Sequence, residues 1–399
     1  MAKQRIGILG GSFDPVHSGH LQIARAAMES ARLDQVLILP TRSPRYKQYA
    51  ASPEDRWMMT VTACSGDRDL VPCRLELDRE GTTYTADTLP LIRNMFPDAK
   101  LFWILGGDSF LRLHSWMRAG EIISQCHLLI LSRPDEVNHA ALSAEAERLS
   151  AVGARIRIVP ALACPYSSSA VRAALSVGRE PEGLDLCVRE LIECKGLYGF
   201  PARIPESGAW LDRLFSALKP HRFAHSLAVA DTARRMAARF GENPLKAEKA
   251  GLLHDCAKHI PLPDMQRIAV ENRLDVDAAF LASSALLHSV VGAWIAEHKY
   301  GMADPEILEA IACHNTGRAG MSRLAMCVAL SDSIEPTRAP YPFLAEIRAL
   351  AETSLEKALL LSLERTAGFV SSKGAFLHPR TQETINWLRT LPAAGEAHC

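Results

Sequence analysis

The sequence predicts two domains, an α/β domain with a parallel sheet over residues 1–200 and an all-α domain over residues 210–399. Two observations support this prediction. In the first half, short apolar runs alternate with helix-like stretches, which is the order of βαβ units around a parallel sheet. From Trp210 onward apolar residues recur at helical spacing, and no run has the character of a strand.

Each element of the first half is predicted from an apolar run or an amphipathic period bounded by turn residues. The predicted strands are residues 5–9, 35–39, 70–77, 101–105, 127–131 and 155–159. The predicted helices are residues 19–32, 53–64, 85–95, 139–152 and 168–177. Residues 201–209 lie in a stretch rich in proline and glycine and are predicted to be a linker. Parallel sheets of this kind bind ligands at the carboxyl ends of their strands.

The composition excludes several classes of protein. Hydrophobic residues make up 48% of the chain, and Lys plus Arg equals Asp plus Glu at 45 each, so no basic field favours nucleic acid or an anionic membrane. None of the ten cysteines stands at C-x-x-C spacing, and no stretch reaches the roughly 20 apolar residues of a membrane span. We expect a cytoplasmic protein with reduced thiols, no nucleic-acid partner and no membrane partner; homo-oligomerisation is left open.

Residues 10–20, GGSFDPVHSGH, join the first predicted strand to the first predicted helix. Gly10 and Gly11 let the backbone approach a ligand closely. His17 and His20 lie one turn apart, so both rings can face one point above the helix start. A helix N-terminus disfavours a protonated imidazole but attracts phosphate, so this string predicts a polyphosphate site. The alternative is a plain strand–turn–helix corner with two incidental surface histidines.

A second phosphate pattern is SSSAVR at residues 167–172. Ser167 and Ser168 lie at the start of a predicted helix, where hydroxyl and backbone N–H groups can hold phosphate. Arg172 follows within one turn and can fork onto phosphate oxygens. Ordinary helix capping is the alternative explanation of this pattern.

Residues 10–20 resemble the signature of the H-x-G-H nucleotidyltransferase superfamily, and about residues 3–200 resemble a bacterial nicotinate-mononucleotide adenylyltransferase. Three further segments are similar to parts of this family. Residues 81–89 resemble the segment on the nicotinate side, residues 106–108 resemble the turn on the adenosine side, and residues 113–116 include Trp116 where the family stacks an aromatic ring on the pyridine. The resemblance implies a Rossmann-like domain that adenylylates nicotinate mononucleotide with ATP, giving nicotinate adenine dinucleotide and pyrophosphate for NAD synthesis. Mg²⁺ would arrive on ATP.

The same resemblance assigns roles to individual residues. The catalytic residues would be His17, His20 and Arg172. The substrate-binding residues would be Gly10, Gly11, Ser12, Phe13, Lys47, Thr85, Asp87, Gly106, Asp108, Trp116, Arg133, Ser167 and Ser168. Tyr46 replaces the histidine of the family's Pro-Pro-His-Lys-like stretch, whereas Lys47 still fits a phosphate contact. Pantetheine phosphate is the alternative acceptor, disfavoured because enzymes that use it usually carry Thr at the position of His17.

In the second half, six potential metal ligands lie in or beside apolar helical segments: His225, His254, Asp255, His288, His314 and Asp332. Burying a polar group is costly without a partner, so each is either hydrogen-bonded in the core or a ligand. The order His…His-Asp…Asp, with residues 250–258, 314–317 and 332–338, resembles the HD phosphohydrolase superfamily. Within it, about residues 210–390 look like the bacterial symmetrical diadenosine tetraphosphatases.

This second resemblance implies a two-metal hydrolase. His225, His254, Asp255 and Asp332 would hold one metal, and His288 and His314 would complete a second position. Mixed imidazole and carboxylate ligands suit iron or manganese. Asp255 and Lys258 would act in catalysis, Lys258 by facing phosphate, and diadenosine tetraphosphate would yield two ADP. A nucleotide-sensing or docking module remains an alternative, as does hydrolysis of another phosphoester, such as a cyclic dinucleotide or nucleoside monophosphate.

Overall fold

The computed structural model describes residues 3–42, 49–132, 139–160 and 165–392. The chain divides into two compact units, Met1–Pro201 and Ala202–Cys399. Among the helices of the described ranges, none has the length and apolar character needed to cross a membrane. Tyr46, Lys47 and Arg133, which the sequence analysis singled out, lie outside the described residues.

The first unit contains a sheet in which every neighbouring pair of strands is parallel. Its strands are β1 (Arg5–Gly11), β2 (Gln35–Pro40), β3 (Leu70–Pro72), β4 (Lys100–Gly106), β5 (His127–Ser132) and β6 (Arg155–Pro160). Their order across the sheet is β3-β2-β1-β4-β5-β6. The chain runs outward from β1 to β3 and then crosses to the other side of β1. The carboxyl ends of β1 and β4 therefore form the switch point at which such sheets bind ligands.

Helices connect these strands. They are α1 (Ser18–Ala31), α2 (Pro53–Cys64), α3 (Thr85–Met95), α4 (Gly107–Leu111), α5 (Ala119–Gln125), α6 (His139–Ala151), α7 (Ser168–Ser176) and α8 (Leu186–Lys195). Single 3₁₀ turns lie at Leu113–Ser115 and Leu197–Gly199. The sequence analysis did not predict α4, α5 or α8. The central strands are buried on both faces, as in Ile6, Ile8 and Leu9 of β1, which explains their continuous apolar runs.

One strand prediction was too long. Residues 70–77 were predicted as a strand, but β3 ends at Pro72, and the Cys73 amide makes a last bond to β2 by donating to the Ile38 carbonyl at 2.8 Å. The chain then turns, with the Leu77 amide donating to the Arg74 carbonyl at 2.8 Å. The apolar residues after Pro72 serve burial: Cys73 and Leu77 are buried in this turn.

The second unit is built from helices, so the predicted order of an α/β domain followed by an all-α domain is confirmed. They are α9 (Ser207–Ala217), α10 (Pro220–Arg239), α11 (Pro244–Leu253), α12 (Leu262–Glu271), α13 (Ala278–Leu281), α14 (Ser284–Tyr300), α15 (Pro305–Cys313), α16 (Arg323–Ile334), α17 (Leu344–Leu350), α18 (Leu355–Ser372) and α19 (Pro379–Thr390). The first of these, α9, begins inside residues 201–209, the segment predicted as a linker.

Helices α10, α11, α15 and α16 pack against one another at the centre of this unit. A glycine allows the closest approach. A Cβ atom on Gly251 of α11 would lie 2.9 Å from the Ala230 Cα of α10, nearer than Cβ atoms approach other heavy atoms in proteins. Glycine at this position brings the carboxyl end of α11, where His254 follows, close to α10, which carries His225.

Candidate functional site

The histidines of residues 10–20 meet at the start of α1. His17 is the N-cap of this helix, and its backbone N–H donates to Nδ1 of His20 at 3.2 Å. The two rings lie 3.8 Å apart between centroids. Because Nδ1 of His20 accepts this bond, the neutral ring carries its proton on Nε2, where it can donate to a ligand. A bound phosphate would meet this donor at the positive end of the helix.

The serine–arginine pattern lies against the same loop. Ser168 Oγ donates to the Pro15 carbonyl at 2.9 Å, and Arg172 Nη1 donates to the Asp14 carbonyl at 2.6 Å. Ser167 caps α7 by accepting from the Ala170 amide at 3.1 Å. The two phosphate patterns, separated by about 150 residues in sequence, thus meet at the switch point of the sheet.

Two buried charged residues hold this loop, and the sequence analysis assigned a role to neither. The carboxylate of Asp14 accepts from the backbone amides of residues 50 and 51 and, at 2.8 Å, from the Tyr198 hydroxyl. The fully buried Arg56 donates to the carbonyls of Ser12, Thr41 and Arg42 at 2.7–2.9 Å. In the sequence, the role of Arg56 is indicated only by its position: it is a charged residue among the apolar, core-facing positions of α2.

Arg56 and Tyr198 both have displaced pKa values. Burial lowers the pKa of Arg56, although neighbouring negative charge at Asp14 partly opposes the effect. Burial, together with the charge and hydrogen bond of Asp14, raises the pKa of Tyr198 far above its ordinary value. Tyr198 therefore stays a neutral hydrogen-bond donor to Asp14 across the physiological pH range.

The residues predicted to contact nicotinate lie at two neighbouring segments. Asp87, in the first turn of α3, forms an ion pair with Arg118, two residues after Trp116. Trp116 is half-buried and packs against the core of the sheet. The buried Glu76 accepts from the hydroxyls of Thr83 and Thr88, at 3.0 and 2.8 Å, and so fixes the start of α3 near Thr85.

The glycines predicted to bind substrate occupy the ends of two strands. Gly10 and Gly11 end β1, and a Cβ atom on Gly11 would lie 3.0 Å from the buried ring of Phe13. Gly106 ends β4 and caps α4, whose first turn carries the exposed Asp108. Gly10 and Gly11 thus lie at the carboxyl end of β1, and Gly106 lies at the carboxyl end of the adjacent strand β4. Ligands of this fold bind at this edge of the sheet.

In the second unit, the six predicted ligands converge from five helices. They are His225 on α10, His254 and Asp255 after α11, His288 on α14, His314 after α15 and Asp332 on α16. Two trios, His225–His254–Asp332 and His254–Asp255–His314, each have their donor atoms within 4.8 Å of one another. His288 Nε2 joins the second trio at 3.2 Å from Asp255 Oδ1.

Hydrogen bonds behind the rings orient the imidazoles. Nδ1 of His254 donates to the Gly251 carbonyl and Nδ1 of His314 to the Ile311 carbonyl, each at 2.7 Å. His225 Nδ1 lies 3.0 Å from Glu335, a buried carboxylate within residues 332–338 to which the sequence analysis assigned no role. Each Nε2 is thereby left facing the cluster, which is how protein metal sites position their histidines.

A cation fits this cluster. Nε2 of His254 is buried and, within the described part of the chain, accepts no hydrogen bond. Burial lowers the pKa of His288 and of His314 to about 4, so both imidazoles are neutral and can ligate. Burial alone would raise the pKa of Asp332, but the hydrogen bond from His225 and nearby imidazoles lower it below its ordinary value. Neutral imidazoles and ionised carboxylates form a suitable set of metal ligands.

Three cationic side chains border the cluster. Lys258 Nζ lies 3.0 Å from His288 Nε2 and 3.5 Å from Asp255 Oδ1, as expected for a residue one turn beyond Asp255. Arg222 Nη1 lies 3.0 Å from Asp255 Oδ2, and Arg338 Nη2 lies 2.6 Å from Asp332 Oδ1. Burial lowers the pKa of Lys258. The sequence analysis assigned no role to either arginine.

Comparisons with known proteins match the two units separately. A cytidylyltransferase-like family model matches residues 8–174, and an HD domain model matches residues 222–337. The chain is 41% identical over 130 residues to a probable nicotinate-nucleotide adenylyltransferase of Clavibacter michiganensis, covering 33% of this chain. That match spans 65% of the Clavibacter protein.

Two further relatives are covered almost completely. A probable nicotinate-nucleotide adenylyltransferase of Neisseria meningitidis serogroup B is 34% identical over 199 residues, which is 49% of this chain and 98% of the relative. A symmetrical bis(5'-nucleosyl)-tetraphosphatase of Bacillus subtilis is 38% identical over 171 residues, which is 43% of this chain and 91% of the relative. Both halves of the chain thus have relatives that are enzymes.

Proposed function

Because the chain belongs to the nicotinate-nucleotide adenylyltransferase family in its first half and to the HD superfamily in its second, we propose that it is a bifunctional enzyme. The first half transfers adenylate from ATP to nicotinate mononucleotide, forming nicotinate adenine dinucleotide and pyrophosphate. The second half hydrolyses diadenosine tetraphosphate to two ADP.

The meeting of the two phosphate patterns on one loop supports the transferase proposal most directly. The 5′-phosphate of nicotinate mononucleotide attacks the α-phosphorus of ATP in line with the departing pyrophosphate. No protein nucleophile is needed, so the chain contributes positioning and charge stabilisation. His20 donates from Nε2 to the transferring phosphate, His17 lies beside it, and Arg172 and Ser168 hold the leaving pyrophosphate at the start of α7. Mg²⁺ arriving with ATP would supply charge neutralisation of the phosphates.

The acceptor is tested by comparing nicotinate mononucleotide with its amide and with pantetheine phosphate. Pyrophosphate release is followed at saturating ATP. We expect kcat/KM to be highest for nicotinate mononucleotide, because Trp116 offers a stacking face and the amides at the start of α3 can bind a carboxylate. Equal kcat/KM for the acid and the amide would contradict this proposal for the pocket.

The hydrolase proposal is supported by the buried His254 Nε2, which lies within 4.8 Å of donor atoms from four other ligand-type side chains. His225, His254, Asp255 and Asp332 would hold one metal, and His288 and His314 would contribute to a second. Divalent iron or manganese there would supply Lewis-acid activation of water and of the scissile phosphate. Asp255 touches both parts of the cluster, Glu335 orients His225, and Lys258 faces the phosphate.

The products of hydrolysis test this half. Purified chain is incubated with diadenosine tetraphosphate and either iron or manganese, and the nucleotides are separated by chromatography. We expect ADP as the sole nucleotide product. AMP together with ATP would contradict the symmetrical cut, and an absence of turnover with either metal would favour a sensing role for this half.

A further inference from the structure

Three cationic side chains border the cluster of metal-ligand candidates in the second unit. The side chains of Arg222, Lys258 and Arg338 are 35%, 27% and 36% exposed, whereas that of Asp255 is 2% exposed. Each cation therefore touches a buried or half-buried carboxylate and also reaches solvent. A ligand entering the cluster from solvent would meet these side chains before the metal ligands.

The chain holds these cations on different sides of the cluster. Arg222 precedes His225 by one turn of α10, and Lys258 follows Asp255 by one turn, so both lie at the Asp255 side. Arg338 lies at the Asp332 side, where its Nε donates to the Asp332 backbone carbonyl at 2.8 Å. This anchor keeps Arg338 in place whatever its terminal nitrogens bind.

The formal charges of the acidic and basic side chains around the cluster cancel before any metal binds. Asp255, Asp332 and Glu335 are three carboxylates, and Arg222, Lys258 and Arg338 are three cations. Each divalent ion adds two positive charges in a site where burial strengthens electrostatic interactions. A metal-loaded site is therefore strongly electropositive, and an anionic ligand can restore the balance.

Both arginines have donors beyond those that contact the carboxylates. A guanidinium carries five N–H groups. In the described part of the chain, Arg222 uses Nη1 on Asp255, and Arg338 uses Nε and Nη2 on Asp332. The remaining donors suit phosphate oxygens, which guanidinium groups bind in a fork.

We propose, building on the hydrolase function proposed above, that Arg222 and Arg338 bind phosphates on the two sides of the cleaved anhydride. Their placement makes the site selective for a chain of several phosphates over a single phosphate group. A nucleoside polyphosphate can offer a different phosphate to the metals and to each arginine, whereas orthophosphate or a monophosphate ester has only one phosphate group to share among them. The rival explanation is that the arginines only orient Asp255 and Asp332 as metal ligands.

The test uses the full metal-loaded chain and the variants Arg222→Gln and Arg338→Gln. Arg267→Gln is the matched control, because Arg267 is 60% exposed and pairs with Asp264 and Glu271 of its own helix. Bound metal is measured by elemental analysis. Binding of inorganic triphosphate and of orthophosphate is measured by calorimetry. The same titrations with chelator-treated protein measure binding outside the metal site, which is subtracted.

We expect each Gln variant to retain wild-type metal content and to bind triphosphate roughly tenfold or more weakly, while orthophosphate binding changes by less than about threefold. Loss of metal in a folded Gln variant would overturn the proposal in favour of the positioning role. Equal weakening for both anions would overturn the claimed selectivity. If a Gln variant does not fold, the Lys variant, which keeps the charge but loses the fork, is measured in the same way.

Binding of inorganic triphosphate does not depend on catalysis. If the wild-type chain does not cleave diadenosine tetraphosphate, the proposed hydrolase reaction is wrong. The binding of inorganic triphosphate still tests whether the two arginines bind phosphate. Wild-type protein that binds triphosphate no more tightly than orthophosphate would overturn the arginine proposal, even if diadenosine tetraphosphate is cleaved.

Discussion

The Nε2 atoms of His288 and His314 lie 3.1 Å apart inside the second unit. Two imidazole lone pairs at this distance repel each other unless a proton or a cation lies between them. Nδ1 of His314 already donates to a backbone carbonyl, and Asp255 Oδ1 lies 3.2 Å from His288 Nε2. A metal cation bound by both nitrogens would also remove this repulsion, and this possibility is the basis of the first prediction.

Removing Asp255 is expected to abolish hydrolysis of diadenosine tetraphosphate, because this carboxylate contacts both parts of the cluster. Adenylyl transfer by the same Asp255→Ala protein should continue at the wild-type rate. Elemental analysis should find two metals per wild-type chain and fewer in the variant. Asp275→Ala, at a side chain that is 99% exposed, is the control. Fully active wild-type enzyme holding fewer than two metals would refute the dinuclear site.

Replacing His20 with alanine is expected to lower the rate of adenylyl transfer by on the order of 10²–10³, because a donor aimed at developing phosphate charge is lost. The fold should survive, since the His20 side chain is only half-buried. Pyrophosphate release gives the rate, and circular dichroism checks the fold. His139→Ala, at an exposed position on α6, should leave the rate unchanged. Near wild-type turnover of His20→Ala would remove His20 from the mechanism.

Arg56 is expected to stabilise the first unit through the three carbonyls that it binds. Arg56→Met should destabilise this unit by about 3 kcal/mol or more, because three part-buried carbonyls lose a charged donor and a hydrogen bond to a charged group contributes about 1.5–3 kcal/mol. Urea unfolding, followed with probes in each unit, should show the loss in the first unit alone. Arg68→Met is the control, since its side chain is 95% exposed. A change no larger than that of the control would contradict this role.

His127 should make the first unit less stable in acid. Burial, reinforced by Arg155, Lys100 and Arg5, lowers the pKa of His127 below its ordinary value of 6.5. The unfolded chain then binds the proton more readily than the folded one, so stability is lost as pH falls through about 6.5 towards the folded-state pKa.

Urea midpoints at pH 7.5 and pH 5 measure this effect. His127→Phe keeps the stacking on Phe102, whose ring centroid lies 4.7 Å away, and removes the titrating group. We expect the difference between the two midpoints to be smaller in this variant than in the wild type. An unchanged difference would show that His127 does not contribute to acid sensitivity.

The sequence predicted the fold well where local patterns decide it. All six strands were predicted in order, since each is a short apolar run. Only β3 was predicted too long, because Cys73 and Leu77 are apolar and buried although they lie beyond the strand. Helices α4 and α5 escaped prediction because seven residues or fewer give too short a period. Helix α8 was long enough, with Asp185 as an N-cap and Gly196 at its end, and those signals were overlooked.

The candidate sites were predictable where their residues are neighbours in sequence. His17 and His20 share one string, and His254 is adjacent to Asp255. Contacts that join distant positions left no comparable signal: Tyr198 reaches Asp14 across 184 residues, and His225 reaches Glu335 across 110 residues. Such pairs are fixed by the packing of helices, which hydrophobic periodicity does not specify.

Gly251 ties the mechanical and the chemical properties of the second unit to one residue. Its missing side chain admits Ala230, and its carbonyl receives the Nδ1 proton of His254. Any side chain at this position would push α10 and α11 apart and turn the imidazole at the same time. Because a ligand that binds only the native state stabilises it, metal occupancy and the melting of this helix pair are thermodynamically linked. A substitution of Gly251 that weakens the packing of α10 on α11 is therefore expected to lower the affinity for metal as well.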